Sequence, residues 1–109
     1  MKSTIVTIIL LVLISGCIGQ GSEDTEFFKN AAANNCIDIC NSVKNVQDLS
    51  YGPCIGNPIP NHLDWICDVA HSPKQPVDDL PENQCSAYRD GQAHHFVEVD
   101  TGCNLIRAV

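Results

Sequence analysis

Residues 25–46 read TEFFKNAAANNCIDICNSVKNV, and the fold turns on what this stretch becomes. Phe28, Ala32, Cys36, Ile39, Cys40 and Val43 recur near helical spacing, and Asp24 or Thr25 can cap the start, so the pattern predicts a helix over 25–46. Asn34-Asn35 weakens its middle and allows a break or restart there. Cys36 and Cys40 stand at i and i+4 and share one helical face. Two cysteines so placed fasten that face to two separate partners more readily than to each other.

Downstream of the helix the chain alternates turn chemistry with short apolar runs. Ser50 to Pro60 (SYGPCIGNPIP) is dense in Gly and Pro and is expected to hold no regular structure, with Cys54 pinning it to the core. His62 to Ala70 (HLDWICDVA) fits a strand at 64–69 through the alternation of Trp65, Cys67 and Val69, although Leu63, Ile66 and Ala70 also fit a helix face. Ser72 to Asn83 carries Pro73, Pro76 and Pro81 and reads as an ordered loop. Residues 84–100 read as a hairpin: a first arm at Cys85–Tyr88, a tight turn at Asp90-Gly91, and a return arm at 93–99. On that arm His95, Val97 and Val99 share one face, and His94, Phe96 and Glu98 share the other. Asp100-Thr101-Gly102 turns the chain, and Cys103 to Ile106 can add a last strand. The expected fold class is therefore α+β, a small disulfide-rich domain with an N-terminal helix packed on a short antiparallel sheet.

The first seventeen residues have a different grammar. Lys2 is followed by a run of apolar residues from Ile5 to Ile14, broken only by Thr7, and then by Ser15, Gly16 and Cys17. About ten apolar residues fall short of the roughly 20 needed to cross a bilayer core, and a charged start with small residues before a cut site is the pattern of an export signal. Within it, Leu13-Ile14-Ser15-Gly16-Cys17 resembles the lipobox of prokaryotic lipoprotein precursors. The resemblance covers residues 1–17 only. It implies cleavage before Cys17, a diacylglyceryl group on its sulfur, and attachment to the outer face of the cytoplasmic membrane. An uncleaved single-pass N-terminal anchor and an ordinary secretory signal are the alternatives. The division that follows is a signal peptide at 1–16, a lipidated Cys17 with a flexible tether to residue 26, and a stapled domain at 27–109.

Cysteine arithmetic agrees with that division. The chain has seven cysteines. Setting Cys17 aside leaves Cys36, Cys40, Cys54, Cys67, Cys85 and Cys103, an even set that reads as three disulfides in an exported domain. Each bridge contributes about 2–4 kcal/mol. Fifteen pairings are possible, and spacing does not choose among them.

Charge and motif content narrow the function. The net charge is −7 and becomes −8 without Lys2, which argues against nucleic acid as a partner. No cofactor motif is present. His94 and His95, with His62 and His71, are the candidate metal ligands, with carboxylates completing a zinc, copper or calcium site. Neighbours on a strand point to opposite faces, so His94 and His95 are not expected to meet one ion. Cys36 and Cys40 form only one close cysteine pair, where a zinc finger needs two. Neither a Cys-x-x-Cys redox motif nor a Gly-x-Ser-x-Gly nucleophile motif occurs. Asp64, Asp68, Asp78, Asp79 and Glu82 read as a solvated acidic surface, and Trp65 as a core residue. The functional expectation is a non-enzymatic, lipid-anchored extracytoplasmic module with a binding or envelope-structural role. A metal-binding surface protein is the alternative.

Overall fold

The computed structural model describes residues 21–109, so the lipobox, Cys17 and the signal segment lie outside the described residues. A helix, α1 (Gly21–Val43), packs on a sheet of four strands: β1 (Cys54–Gly56), β2 (Trp65–Val69), β3 (His95–Val99) and β4 (Leu105–Ala108), in spatial order β1-β2-β3-β4. The chain is thus a small disulfide-rich α+β domain. Among the described residues no helix is long and apolar enough to cross a membrane.

The helix runs unbroken through Asn34-Asn35. Asn34 is exposed, and the Asn35 side-chain amide donates to the Pro60 carbonyl at 3.3 Å, so tertiary contact overrides weak local propensity. Residues 21–26 of the segment expected as a tether belong to the helix. Ala32, Ala33, Cys36 and Cys40 form its buried stripe, with Ile37, Ile39 and Val43 beside them. Phe28, placed by spacing on that stripe, is exposed instead, in a shallow cleft with Leu63, Asp64 and His95 at the start of β2 and β3. Near the C-terminus Asn41 and Ser42 turn their side chains back onto the carbonyls of Ile37 and Ile39. Such polar side chains compete with the backbone ladder, and the helix stops one residue later.

Cys36 bonds Cys67 on β2, and Cys40 bonds Cys103 beyond β3, so one helical face is fastened at two points to two partners. The third bridge, Cys54–Cys85, ties β1 to the start of the segment 86–89 on the other side of the sheet. Between α1 and the sheet lies the main core, where Ile59, Trp65, Val69, Val97 and Val99 meet the helix. The alternation expected of residues 95–99 holds: Val97 and Val99 face this core, while Phe96 and Glu98 face away from it.

Three expectations need correction. The sheet is mixed rather than antiparallel, since β2 and β3 run parallel in register from Trp65↔His95 to Val69↔Val99. A parallel pair needs a crossover, which residues 70–94 supply. Second, the first arm of the expected hairpin is a single helical turn, Ser86–Arg89. Gly91, at φ +80°, ends that turn, and the amides of Gln92 and Ala93 donate back to the Ala87 carbonyl. Asp-Gly signals positive φ at a helix end as well as in a hairpin, and the helix end prevails here. The true hairpin is β3–β4, closed through Asp100, whose carboxylate accepts from the amides of Gly102 and Asn104. Third, the Gly/Pro-rich stretch contains β1, a three-residue edge strand, and the Pro-rich loop contains two short 3-10 turns, Pro76–Asp79 and Pro81–Asn83.

Gly52 locks the crossover against the loop after α1. Its φ is +72°, and a Cβ there would stand 2.4 Å from Asp78 Oδ1 and 3.3 Å from the Val69 carbonyl. Gly52→Ala is therefore expected to cost about 1–3 kcal/mol in backbone strain, with a further loss from displacing Asp78. Urea denaturation of the variant measures this, and an unchanged midpoint would refute it.

Candidate functional site

The sheet face opposite α1 is only partly covered. Ile66 and Asp68 from β2, Phe96 and Glu98 from β3, and Arg107 from β4 all stand on it, because alternate residues of paired strands share a face. The crossover walls this surface with Lys74, Asp78, Tyr88 and Arg89. Together they enclose an open cavity of about 420 Å³, within the usual size for a small-ligand site.

The floor of the cavity carries one unusual group. Asp68 is half-buried, and its Oδ1 atom is fully buried with no hydrogen-bond partner. Loss of hydration pushes its carboxyl pKa up to about 8, and the nearby charges of Glu98 and Asp78 add to the rise. At neutral pH the group is a carboxylic acid, able to donate as well as accept. This corrects the reading of Asp68 as a solvated surface acid. Asp78 is corrected too, for it is buried at 3% exposure. Burial acts to raise the Asp78 pKa. The backbone amides of Gln75 and His71, at 2.8 and 3.0 Å, and the His71 ring at 2.8 Å outweigh that effect and hold it below the usual carboxylate range.

Glu98 is buried and pairs with Arg107 Nε across the β3–β4 register. The Arg107 guanidinium lies over the Phe96 ring, 5.3 Å from its centroid, and Tyr88 meets the same ring edge-on at 5.4 Å. These contacts join a cation and two aromatic rings into one wall. Lys74 and Arg89 stand at the rim, each half exposed and paired with an exposed aspartate, Asp79 at 3.1 Å and Asp90 at 3.6 Å. Exposed pairs of this kind contribute little and separate readily.

The candidate metal ligands divide between two places. His71 is engaged by Asp78 behind the cavity wall. His62, His94 and His95 gather at the other end of the sheet around Asp64 and Trp65. His94 Nδ1 is 2.6 Å from Asp64 Oδ1, and His95 Nε2 is 3.5 Å from Oδ2. The hydrogen bond with His94 is the main reason the Asp64 carboxyl sits below its ordinary pKa. Two adjacent histidines do meet one carboxylate, contrary to the strand argument, because β3 begins at His95 and His94 lies outside it. His95 also stacks on Trp65, with ring centroids 4.6 Å apart. Trp65 is 7% exposed and belongs to the core, as expected. Among the described residues no three His, Cys, Asp or Glu side chains gather in a way that could hold a metal ion.

Sequence reasoning missed Asp68, and the available signal was an acidic residue at the outward-facing position of the strand Trp65-Ile66-Cys67-Asp68-Val69. It had no means of showing that the crossover would fold over that position. Comparison of the chain with known protein families, with curated proteins and with solved structures finds no match.

Proposed function

We propose that the protein is a lipid-anchored extracytoplasmic binding module, and that the cavity on the open sheet face is its binding site. The observation that carries the binding role is a cavity whose floor holds Asp68, an acid with one buried, unpartnered oxygen, flanked by aromatic and cationic side chains. A buried polar atom left unpaired is costly, and a ligand met by rotation of that carboxyl group recovers the cost. Support for the location comes from residues 13–17 and from the three bridges, which use all six downstream cysteines and are characteristic of oxidising compartments.

Two measurements test this reading on protein purified from membranes in neutral detergent. Mass spectrometry is expected to show an acylated N-terminal fragment beginning at Cys17, and an intact Met1 terminus would overturn the anchoring. NMR titration with phenylacetate, phenethylamine and benzyl alcohol tests the cavity. At least one probe is expected to shift the amides of residues 66–68 and 96–98. No shift with any of the three would overturn the binding role.

A further inference from the structure

We propose that the cavity takes a small organic anion, a carboxylate carrying an apolar or aromatic body, with the Asp68 carboxyl group as hydrogen-bond donor and Lys74, Arg89 and Arg107 surrounding the negative charge. The inference rests on the binding role above and names the ligand class for that site.

Three observations converge on it. The chain carries a net charge of −7 and only six Lys and Arg residues, yet three of the six line this one cavity. Scattered cations would be expected to lie along the whole surface, whereas these converge from the crossover, the 86–89 turn and β4. Asp68 lines the same cavity, and its Oδ1 atom is buried and unpartnered. A neutral carboxyl group there donates to an anion's oxygen, as a carboxylic acid held neutral by its surroundings does in other ligand pockets. Finally, Ile66, Phe96 and Tyr88 supply the apolar surface for a ligand body.

An ammonium ligand fits less well. The ionised carboxylates of the cavity, Glu98 and Asp78, are buried and already engaged, by Arg107 and by His71 with two backbone amides, whereas Lys74 and Arg89 are held only by exposed partners at the rim. The groups that set the Asp68 proton are known from each neighbouring element: Glu98 on β3, with Arg107 from β4 paired to it, and Asp78 and Lys74 from the crossover. His71 stands behind Asp78, and Arg89 completes the rim. Of these, Glu98 and Asp78 keep the proton on Asp68, and Lys74 opposes them weakly.

The same membrane-purified protein in neutral detergent tests the proposal, with phenylacetate as the probe and phenethylamine as its opposite in charge. Phenylacetate is expected to shift the amides of residues 66–68 and 96–98. Its affinity is expected to be flat near neutral pH and to fall up to about tenfold per pH unit above the Asp68 midpoint, as the donor is lost and a like charge appears. Asp68→Asn retains a donor that does not ionise, so it is expected to bind with the alkaline loss abolished. Lys74→Gln and Arg89→Gln, both at exposed positions, are each expected to weaken phenylacetate several-fold and benzyl alcohol far less. If phenethylamine shifts these amides and phenylacetate does not, the anion class is wrong while the binding role stands. Phenylacetate affinity that rises with pH, or an alkaline loss that survives Asp68→Asn, also overturns the proposal. Silence from all three probes removes the binding role itself.

Discussion

Cys40→Ala combined with Cys103→Ala is expected to destabilise the protein by about 4 kcal/mol, the largest effect of removing any one bridge. Cys40 and Cys103 are 63 residues apart, against 31 for each of the other two pairs. Doubling the closed loop adds only about 0.6 kcal/mol in chain entropy, so the three bridges differ modestly and each matters. Both cysteines are buried, at 0% and 5% exposure, and truncation also leaves small voids between α1 and the β3–β4 turn. A domain of this size has a total stability on the order of 5–15 kcal/mol. The double variant should therefore unfold at a much lower urea concentration, and reduction of all three bridges should unfold the native protein without denaturant. A midpoint equal to that of the native protein would show that the bridge follows the fold without supporting it. The bridges Cys36–Cys67 and Cys40–Cys103 enclose overlapping loops, so their losses are not expected to add.

The second large effect is a dependence of stability on pH that runs opposite to ordinary acid denaturation. Asp68 has a folded-state pKa of about 8, against 3.8 for the unperturbed group. Between those values the folded protein holds a proton that the unfolded chain has released. Stability must then fall as pH rises through this window, by about 1.4 kcal/mol per pH unit, and level off above it. The total is on the order of 5 kcal/mol. Asp78 and Asp100, whose pKa values are depressed, act in the other direction and lose their contribution only as pH falls below about 4. The native protein should thus be most stable in mildly acidic solution. Asp68→Asn is expected to remove the decline between pH 4 and 8 and to be the more stable protein at pH 9. Urea denaturation of both proteins at pH 5, 7 and 9 measures it. Parallel pH profiles for the two would show that Asp68 is not the source.

Much of the scaffold is legible in the sequence. The helical spacing of Ala32, Cys36 and Cys40 identified the buried stripe, and the i, i+4 cysteines predicted two separate partners. The alternation along 95–99 is also plain, whereas the strand at 64–69 competes with a helical reading, because all of Trp65–Val69 except Asp68 is buried and leaves no period of two. What escaped was non-local. Nothing within residues 84–91 distinguishes a helical turn ended by glycine from a hairpin arm followed by one, since the difference lies in Asn57, whose side chain holds the turn by accepting from the Ala87 amide. The parallel pairing of β2 with β3 likewise depends on where residues 70–94 pack. The candidate site shared that obscurity. Asp68 and Glu98 are ordinary acids in the sequence, and only their adjacent register on paired strands and the crossover beside them make one protonated and the other ion-paired.

The two fasteners on α1 also decide how the chain responds to tension. A pull between residues 21 and 109 follows the shortest covalent route, which leaves the helix at Cys40, passes through the bridge to Cys103 and exits along β4. The 63-residue stretch between those cysteines stays slack, so a stretched oxidised molecule keeps the parts of the cavity on β2, β3 and the crossover out of the load path, while β4 with Arg107 carries it. Cutting that one bridge would pass the load to Cys36–Cys67 and release roughly 100 Å of additional contour length, at about 3.4 Å per residue, because the two remaining bridges still bypass most of the stretch.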